Sequence, residues 1–288
     1  MGHSVSPAIH HAAYDALGMS HNYEAVDCPD EESVRKQVAR IRSGEIAGAN
    51  VTVPHKILAL SLADEATEGA SNTGAANVLT RVGDQVVAHN TDISGLADEL
   101  RSGTKNPRAA WVLGNGGAAL AAVVACRQAG ASDVYLSARS FVGDPAHWPK
   151  MERFRQLGAI PVGWSDAATP GGIPELAPSL GLIVQATSAG MKGASDGAPL
   201  VKQIPWESLG RDTFIYDLVY NPPQTPLLTA AQERGLPRSH GLGMLVGQAA
   251  HAFKIWLGQE PDRDAMRQAA DRGIFGATPA STPERGPS

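Results

Sequence analysis

"AAWVLGNGGAALAAVVACRQAGASDVYLSAR", residues 109–139, decides the fold. A short apolar run ends in a glycine turn, an alanine- and valine-rich segment follows, and Gly130 separates it from a second apolar run. Strand, turn, helix, stop and strand within about 30 residues make a βαβ unit, whose two strands are parallel. Gly114, Gly116 and Ala119 fall in a GxGxxA frame. In such a frame the first glycine permits the tight turn and the second lets backbone approach a pyrophosphate. The small third residue lets the helix pack closely on the sheet. A phosphate then meets the positive N-terminus of the helix. The spacing alone is a weak signal. The strand before it and the helix after it supply the context, so the stretch predicts dinucleotide binding rather than a plain glycine turn.

Working outward, "IPVGW" (160–164), "GLIVQAT" (181–187) and "DTFIYDLVY" (212–220) look like further strands. Helices or loops separate them, which predicts an α/β fold with a doubly wound parallel sheet of Rossmann type. Upstream of the polar stretch "SGTKNPR" (102–108) the pattern differs. Helices are expected over 6–18, with Ser6 as N-cap and Pro7 in the first turn, and over 31–43, 55–66 and 91–103, the last capped by Thr91 or Asp92. Strands are expected at 22–28 and 48–53, and a hairpin over 77–90 turning at Gly83-Asp84. A last helix is expected near 241–258, and the tail as disordered because it has almost nothing to bury.

Composition narrows the class. The 288 residues are 43% hydrophobic, enough for a proper core, and the net charge of −5 argues against a nucleic-acid footprint. Cys28 and Cys126 have no CxxC spacing, and the histidines (His10-His11, His55, His89, His251) show no metal spacing such as HExxH. No disulfide framework and no metal site are expected. The longest apolar run, "AALAAVVAC" (118–126), is too short to span a bilayer, and no secretory segment is visible. A soluble cytoplasmic protein without nucleic-acid or membrane partners is expected.

The second strand of the βαβ unit ends "YLSARS", with Arg139 and Ser140 where an NAD site places an acid on the ribose hydroxyls. A guanidinium binds a 2′-phosphate through paired, charge-assisted hydrogen bonds. This favours NADP, against the plainer reading of Arg139 as a solvated strand-end cation. "GANVTVPHK" (48–56) raises a second question: Lys56 is either a surface charge after a strand or a group held to move a proton.

Taken together, "HSVSP" (3–7), "GANVTVPHK" (48–56), "GAANV" (74–78), "HNTDISG" (89–95), "GNGGAA" (114–119), "QATSAGM" (185–191), "DLVYNPPQTPLL" (217–228) and "GLGMLVGQAAHAF" (241–253) resemble the shikimate dehydrogenase family, including its quinate and aminoshikimate variants. The resemblance runs from residue 2 to about 258. It implies a substrate domain over 1–101, completed by C-terminal helices within 236–270, a Rossmann NADP-binding domain over 102–235 and a cleft between them; composition leaves 271–288 as an expected disordered tail. The resemblance also implies reversible reduction of 3-dehydroshikimate to shikimate with NADPH, within aromatic amino acid and chorismate biosynthesis, by a monomer or homodimer. Position by position, Lys56 and Asp92 match the catalytic pair. Ser4, Ser6, Thr52, Lys56, Asn77, Asp92, Tyr220 and Gln248 match substrate ligands. Gly114, Asn115, Gly116, Gly117, Ala118, Arg139, Ser140, Thr187, Ser188, Leu218 and Gly241 match cofactor contacts, as does Glu68.

The chemistry stands beside the resemblance. A ketone that accepts a hydride develops negative charge on oxygen, which Lys56 can neutralise by stabilising it or by giving a proton, with Asp92 placing the ammonium. A polyol acid needs many hydrogen bonds, which Ser, Thr, Asn, Tyr and Gln supply. Ser6 serves equally as a helix cap. Departures from the family pattern are Gln185 for the frequent Asn, His240 for Asp before Gly241, and no second basic residue after Arg139. Only Met1-Gly2 precede HSVSP, where the family has a strand, so a central strand of the substrate-domain sheet is expected to be missing or to lie upstream. The competing readings are a quinate or aminoshikimate dehydrogenase using NAD, a methylenetetrahydrofolate dehydrogenase, and a non-catalytic NADP-binding regulatory protein. Hinge motion is expected near 100–105 and 236–241, at Gly103, Gly235 and Gly241.

Overall fold

The structure is a computed structural model that describes residues 4–105, 107–144, 147–164 and 173–276. The first part of the chain runs α1 (Ser6–Ala16), α2 (Glu31–Ser43), β1 (Gly48–Asn50), α3 (Lys56–Leu62), β2 (Glu65–Ala66), α4 (Glu68–Thr73), β3 (Val78–Val82), β4 (Gln85–His89) and α5 (Thr91–Gly103). Then follow β5 (Ala109–Leu113), α6 (Gly117–Gln128), β6 (Asp133–Ser137), α7 (Met151–Gln156), β7 (Ala159–Pro161), α8 (Ile173–Leu176), β8 (Leu180–Gln185), α9 (Ala198–Val201), β9 (Phe214–Asp217), α10 (Pro226–Glu233), β10 (Arg238–His240), α11 (Leu242–Leu257) and α12 (Arg263–Phe275).

Two sheets result. The second has the order β7-β6-β5-β8-β9-β10 with every neighbouring pair parallel, the doubly wound arrangement that the βαβ stretch predicts. Its central strand β5 is fully buried. Successive side chains alternate between faces, so Ala110 and Val112 join α6 residues Leu120 and Val123 in one core, while Trp111 and Leu113 join Leu227 and Ala231 of α10 in another.

The first sheet has the order β1-β3-β4-β2. β3 and β4 form the expected hairpin, with Gly83 at φ 63° in its turn. α2 starts on a reciprocal Asp30–Ser33 capping box and ends at Gly44, and its Val38 and Ile41 pack on Leu79, Val86 and Ala88. α5 and α11 cross at close range: a Cβ on Gly95 would come within 2.5 Å of the Gln248 backbone nitrogen.

Several expectations are corrected. Residues 22–28 join neither sheet; Tyr23 is tied down instead by its N–H to His11 Nε2 at 3.1 Å and its hydroxyl to Asn50 Oδ1 at 2.8 Å. Within the described residues β1 pairs only with β3. The N-cap of α1 is Val5, so Ser6 is its first helical residue, and α5 is capped by Asn90, whose Oδ1 accepts from Asp92 N at 3.2 Å. α3 stops at Leu62 because Ala63 turns extended and Asp64 N bonds Val86 O, which starts the short parallel pairing of β2 with β4. α4 and β10 are unforeseen. α12 continues to Phe275, so residues 271–275 are helical rather than tail, with Met266 and Ala270 buried against α1 and α11. Residues 277–288 lie outside the described residues, as do 165–172. No described helix is long and apolar enough to cross a membrane.

Candidate active site

Lys56 opens α3 directly after the cis Val53–Pro54 bond. The preceding His55 is fixed by its N–H to Thr52 O at 3.0 Å and its Nε2 to Cys28 O at 2.8 Å. The Lys56 carbonyl accepts from Ala76 N at 2.9 Å, so the backbone under the ammonium is anchored twice. Lys56 Nζ donates to Asp92 Oδ2 at 2.6 Å, with the two side chains 27% and 19% exposed. That leaves the pair reachable from solvent but unable to swing freely. The surface-charge reading of Lys56 does not describe this placement.

Asp92 is held from the other side. Asn77, almost wholly buried, offers Nδ2 to Asp92 Oδ1 at 2.9 Å, to Thr91 Oγ1 at 3.0 Å and to Gln248 Oε1 at 3.4 Å. An amide has two hydrogens, so the two nearer acceptors are served first and Gln248 retains acceptor capacity. Asn77 Oδ1 in turn accepts from Thr91 N at 2.7 Å, and Asn90 Nδ2 donates to Thr73 Oγ1 at 2.8 Å and Ala75 O at 3.0 Å. Residues from α3, α5 and α11, with Asn77 at the entry to β3, therefore converge on one polar nest. Asn90 and Thr73 are not among the expected site residues, and Thr91 is expected only as a helix cap; the cap position of Asn90 is the available signal.

Other predicted substrate ligands stand near by different routes. Ser6 N bonds Ser4 Oγ at 3.4 Å at the start of α1. Tyr23 and Asn50 connect that region toward Asn77, because Asn50 Nδ2 reaches Asn77 O at 3.5 Å. Thr52 is exposed beside Pro54. Tyr220 packs with α1 and α11 and also lines the neighbouring cleft.

That cleft, of 1140 Å³, opens at the carboxyl ends of β5 and β8, where the strand order reverses. Gly114, Asn115, Gly116 and Ala118 line one wall, with Arg139 and Ser140 beyond them; Thr187, Ser188 and Leu218 line another, and Val53 reaches in from the turn between β1 and α3. Gly117, Gly241 and Glu68 do not line it: Gly117 starts α6, Gly241 is pressed on Leu218, and exposed Glu68 starts α4. Lys192, Asp196 and Met191 line it unforeseen, from a loop without a periodic pattern.

The cleft fits a dinucleotide on its own geometry. Gly114 sits at φ 129°, where a Cβ would meet Ala186 O and Thr187 Cγ2 at 3.0 Å, while the Cβ positions of Gly116 and Gly117 face open space. The first turn of α6 leaves N–H groups without intrahelical acceptors, aimed at that space. Asn115 Nδ2 bonds Ser140 Oγ at 2.8 Å, tying the turn to the strand end that carries Arg139. Among the described residues the Arg139 guanidinium has no carboxylate partner, which leaves it available to a phosphate.

Behind the cleft lies a buried carboxyl. Asp217 Oδ1 accepts from Val219 N at 2.9 Å and Gln185 Nε2 at 3.1 Å, and Oδ2 accepts from Thr225 Oγ1 at 2.6 Å. Burial pushes it up to about 6. Gln185 also donates to Ala189 O at 3.0 Å and accepts from Thr187 N, so it shapes the 187–189 turn that lines the cleft. Sequence motifs pointed to both loops but not to this bolt beneath them.

The first 79 residues match the family model for the shikimate dehydrogenase substrate binding domain, and residues 241–270 match that for the shikimate 5′-dehydrogenase C-terminal domain. The NADP(+)-dependent shikimate dehydrogenase of Rhodopseudomonas palustris strain TIE-1 is 38% identical, over 93% of this chain and 91% of its own. The chain belongs to the shikimate dehydrogenase family. Among solved family structures, shikimate 5-dehydrogenase from Thermus thermophilus, in complex with NADP(H) and shikimate, superposes with a TM-score of 0.77 at 32% identity, covering 95% of this chain and 96% of that one. The 5-ketofructose reductase of a Gluconobacter strain is also similar, with a TM-score of 0.78 at 27% identity over 93% of both chains. Shikimate dehydrogenase architecture thus extends to a reductase named for another substrate.

Proposed function

We propose that this chain is an NADP-dependent shikimate dehydrogenase, reversibly reducing 3-dehydroshikimate to shikimate, with Lys56 and Asp92 as its acid–base pair. The observation that carries the reading is the 2.6 Å Lys56–Asp92 contact near a cleft lined by Arg139, which has no carboxylate partner among the described residues. NADPH, when bound, supplies the hydride. Lys56 Nζ donates to the substrate's carbonyl oxygen, stabilises the charge that develops there and delivers the proton; in the reverse direction it takes the proton back. Asp92, fixed by Asn77, aims the ammonium and accepts from a substrate hydroxyl. Ser4, Ser6, Thr52, Asn77, Tyr220 and Gln248 bind the remaining oxygens of the polyol acid.

On the cofactor side, Gly114, Asn115, Gly116, Gly117 and Ala118 cradle the pyrophosphate and Arg139 with Ser140 grips the 2′-phosphate. Thr187, Ser188 and Leu218 form the nicotinamide end, backed by Gly241, which packs on Leu218; Glu68 takes no part in lining it. The substrate domain comprises residues 1–101 with the helices after 236, and the NADP domain residues 102–235. The reading is tested by following NADP⁺ and NAD⁺ reduction with shikimate, quinate and aminoshikimate. Shikimate with NADP⁺ is expected to give the highest kcat/KM; a preference for quinate with NAD⁺ would overturn it.

A further inference from the structure

A contact between the two units that no motif announces is made by Arg153. It stands on α7, in the NADP-binding unit, and reaches across 81 residues of sequence to the end of α4. Its Nε donates to Asn72 O at 3.0 Å and its Nη2 to Ser71 O at 2.5 Å. These are carbonyls of a helix C-terminus, which attracts a cation; Ser71 O also accepts from the capping Gly74 N at 3.2 Å, so Arg153 adds a second donor there. The guanidinium occupies the place of the next residue's side chain: a Cβ on Gly74 would lie 2.6 Å from Nη1. Gly74, at φ 65°, therefore meets two demands, the left-handed end of α4 and room for Arg153.

What lies on either side of this contact gives it meaning. Beyond Gly74, Ala75 O accepts from Asn90 Nδ2, Ala76 N holds the Lys56 carbonyl, and Asn77 holds Asp92. Only a short run of chain, residues 73–75, thus separates the Arg153 grip from Ala76 and the adjoining Asn77, which hold the two members of the catalytic pair. On the other side, α7 is seated by Met151 and Phe154 in the core that also contains Phe141 and Trp148, whose rings stack at 4.9 Å. Phe141 directly follows Arg139 and Ser140, the wall of the cleft that faces a 2′-phosphate.

We infer that Arg153 is a positioning residue that couples occupancy of the cofactor cleft to the geometry of Lys56 and Asp92. The inference rests on the functional reading above. A ligand that settles the 139–141 segment settles α7 through the shared core, and α7 holds the 71–77 segment through two hydrogen bonds. Coupling of this kind is reciprocal, so substrate must strengthen cofactor binding by the same factor.

The test is calorimetric titration of shikimate with and without saturating NADPH, a pair that cannot react with each other, in wild type, Arg153→Ala and Arg153→Lys. Wild type is expected to bind shikimate roughly 5- to 150-fold more tightly with NADPH present, the usual span for coupled sites. Arg153→Ala is expected to bring that ratio close to one. Arg153→Lys is expected to be intermediate, because a point charge lacks the fork that serves two carbonyls at once, and it remains informative should the alanine variant misfold. Hydrogen exchange provides a second readout: amides of residues 74–77 should lose protection in the alanine variant while β5 and β8 keep theirs. An unchanged ratio in both variants, or a wild-type ratio of one, overturns the inference. Wild-type protein that binds neither ligand overturns the functional reading and this inference with it.

Discussion

Replacing Asp217 by asparagine removes a charge that has no exposed surface and, among the described residues, no cationic partner. Burial raises its carboxyl from 3.8 to about 6, against the opposing pull of the Thr225 and Val219 hydrogen bonds. Between those values the folded state keeps a proton that the unfolded chain has released. Stability therefore falls as pH rises through this window, and the cost is complete above the folded value. A shift of that size corresponds to about 3 kcal/mol, of which about 2 kcal/mol develops between pH 4 and pH 8. At roughly 2–4 °C per kcal/mol, the Tm gap between wild type and Asp217→Asn should change by about 4–8 °C across that range, in favour of the variant at high pH. The offset at any single pH depends on how Thr225 re-pairs with an amide; the change in offset does not. His10 contributes with the opposite sign, because burial lowers it to about 4 and its stability contribution is lost as pH falls from 6.5. It is common to both proteins and cancels in the comparison. Thermal melts of both across pH 4–8 give the gap directly, and a gap independent of pH refutes the buried-charge argument.

Lys56→Ala should lower kcat by roughly 10²–10⁴-fold, with a smaller change in KM, as for loss of a general acid; steady-state rates near wild type would deny it that role. Arg139→Asp should weaken NADPH and spare or improve NADH, since a carboxylate repels the 2′-phosphate and suits free ribose hydroxyls; equal losses in the two KM values would make Arg139 merely structural. Gly95→Ala puts a methyl within 2.5 Å of the Gln248 nitrogen. It should cost roughly 1–3 kcal/mol by overpacking and lower kcat/KM by drawing Gln248 away from Asn77, and an unchanged Tm would show that α11 yields freely.

The parts legible in sequence are those whose pattern is set locally. The glycine turn, the fully apolar β5 and the Asp30–Ser33 box carry their reasons within a few residues. Lys56 and Asp92 are legible locally only as residues near helix starts; 36 residues separate them, and their pairing is implied by the family resemblance rather than by spacing. α4, β2 and β10 are too short for periodicity to show; they exist because neighbours complete their hydrogen bonds, as β4 does for β2. The 22–28 segment has strand-like alternation, yet alternation supplies no partner, and aromatic stacking of Tyr23 on His10 at 4.3 Å fixes it instead. The grip of Arg153 on Ser71 and Asn72 joins two helices that neither motif nor spacing relates.

Two of the glycines expected to hinge are closely packed in this structure. A Cβ on Gly103 would lie 2.2 Å from the Phe214 ring, and one on Gly241 would lie 2.0 Å from Leu218 O. Both crossing helices are thereby pressed against β9 or the residues that follow it. Met244 N donates to Tyr216 Oη at 3.2 Å, tying the start of α11 to the same strand. Gly235 alone of the three, at φ 67°, has open space around its Cβ position. β9 thus works as a shared post. Its end carries Asp217, which braces the cleft loops, while α11, seated against it, carries Gln248 into the polar nest. Movement at either crossing must take β9 along or break these contacts, so cleft and nest are mechanically joined through the strand as well as through Arg153.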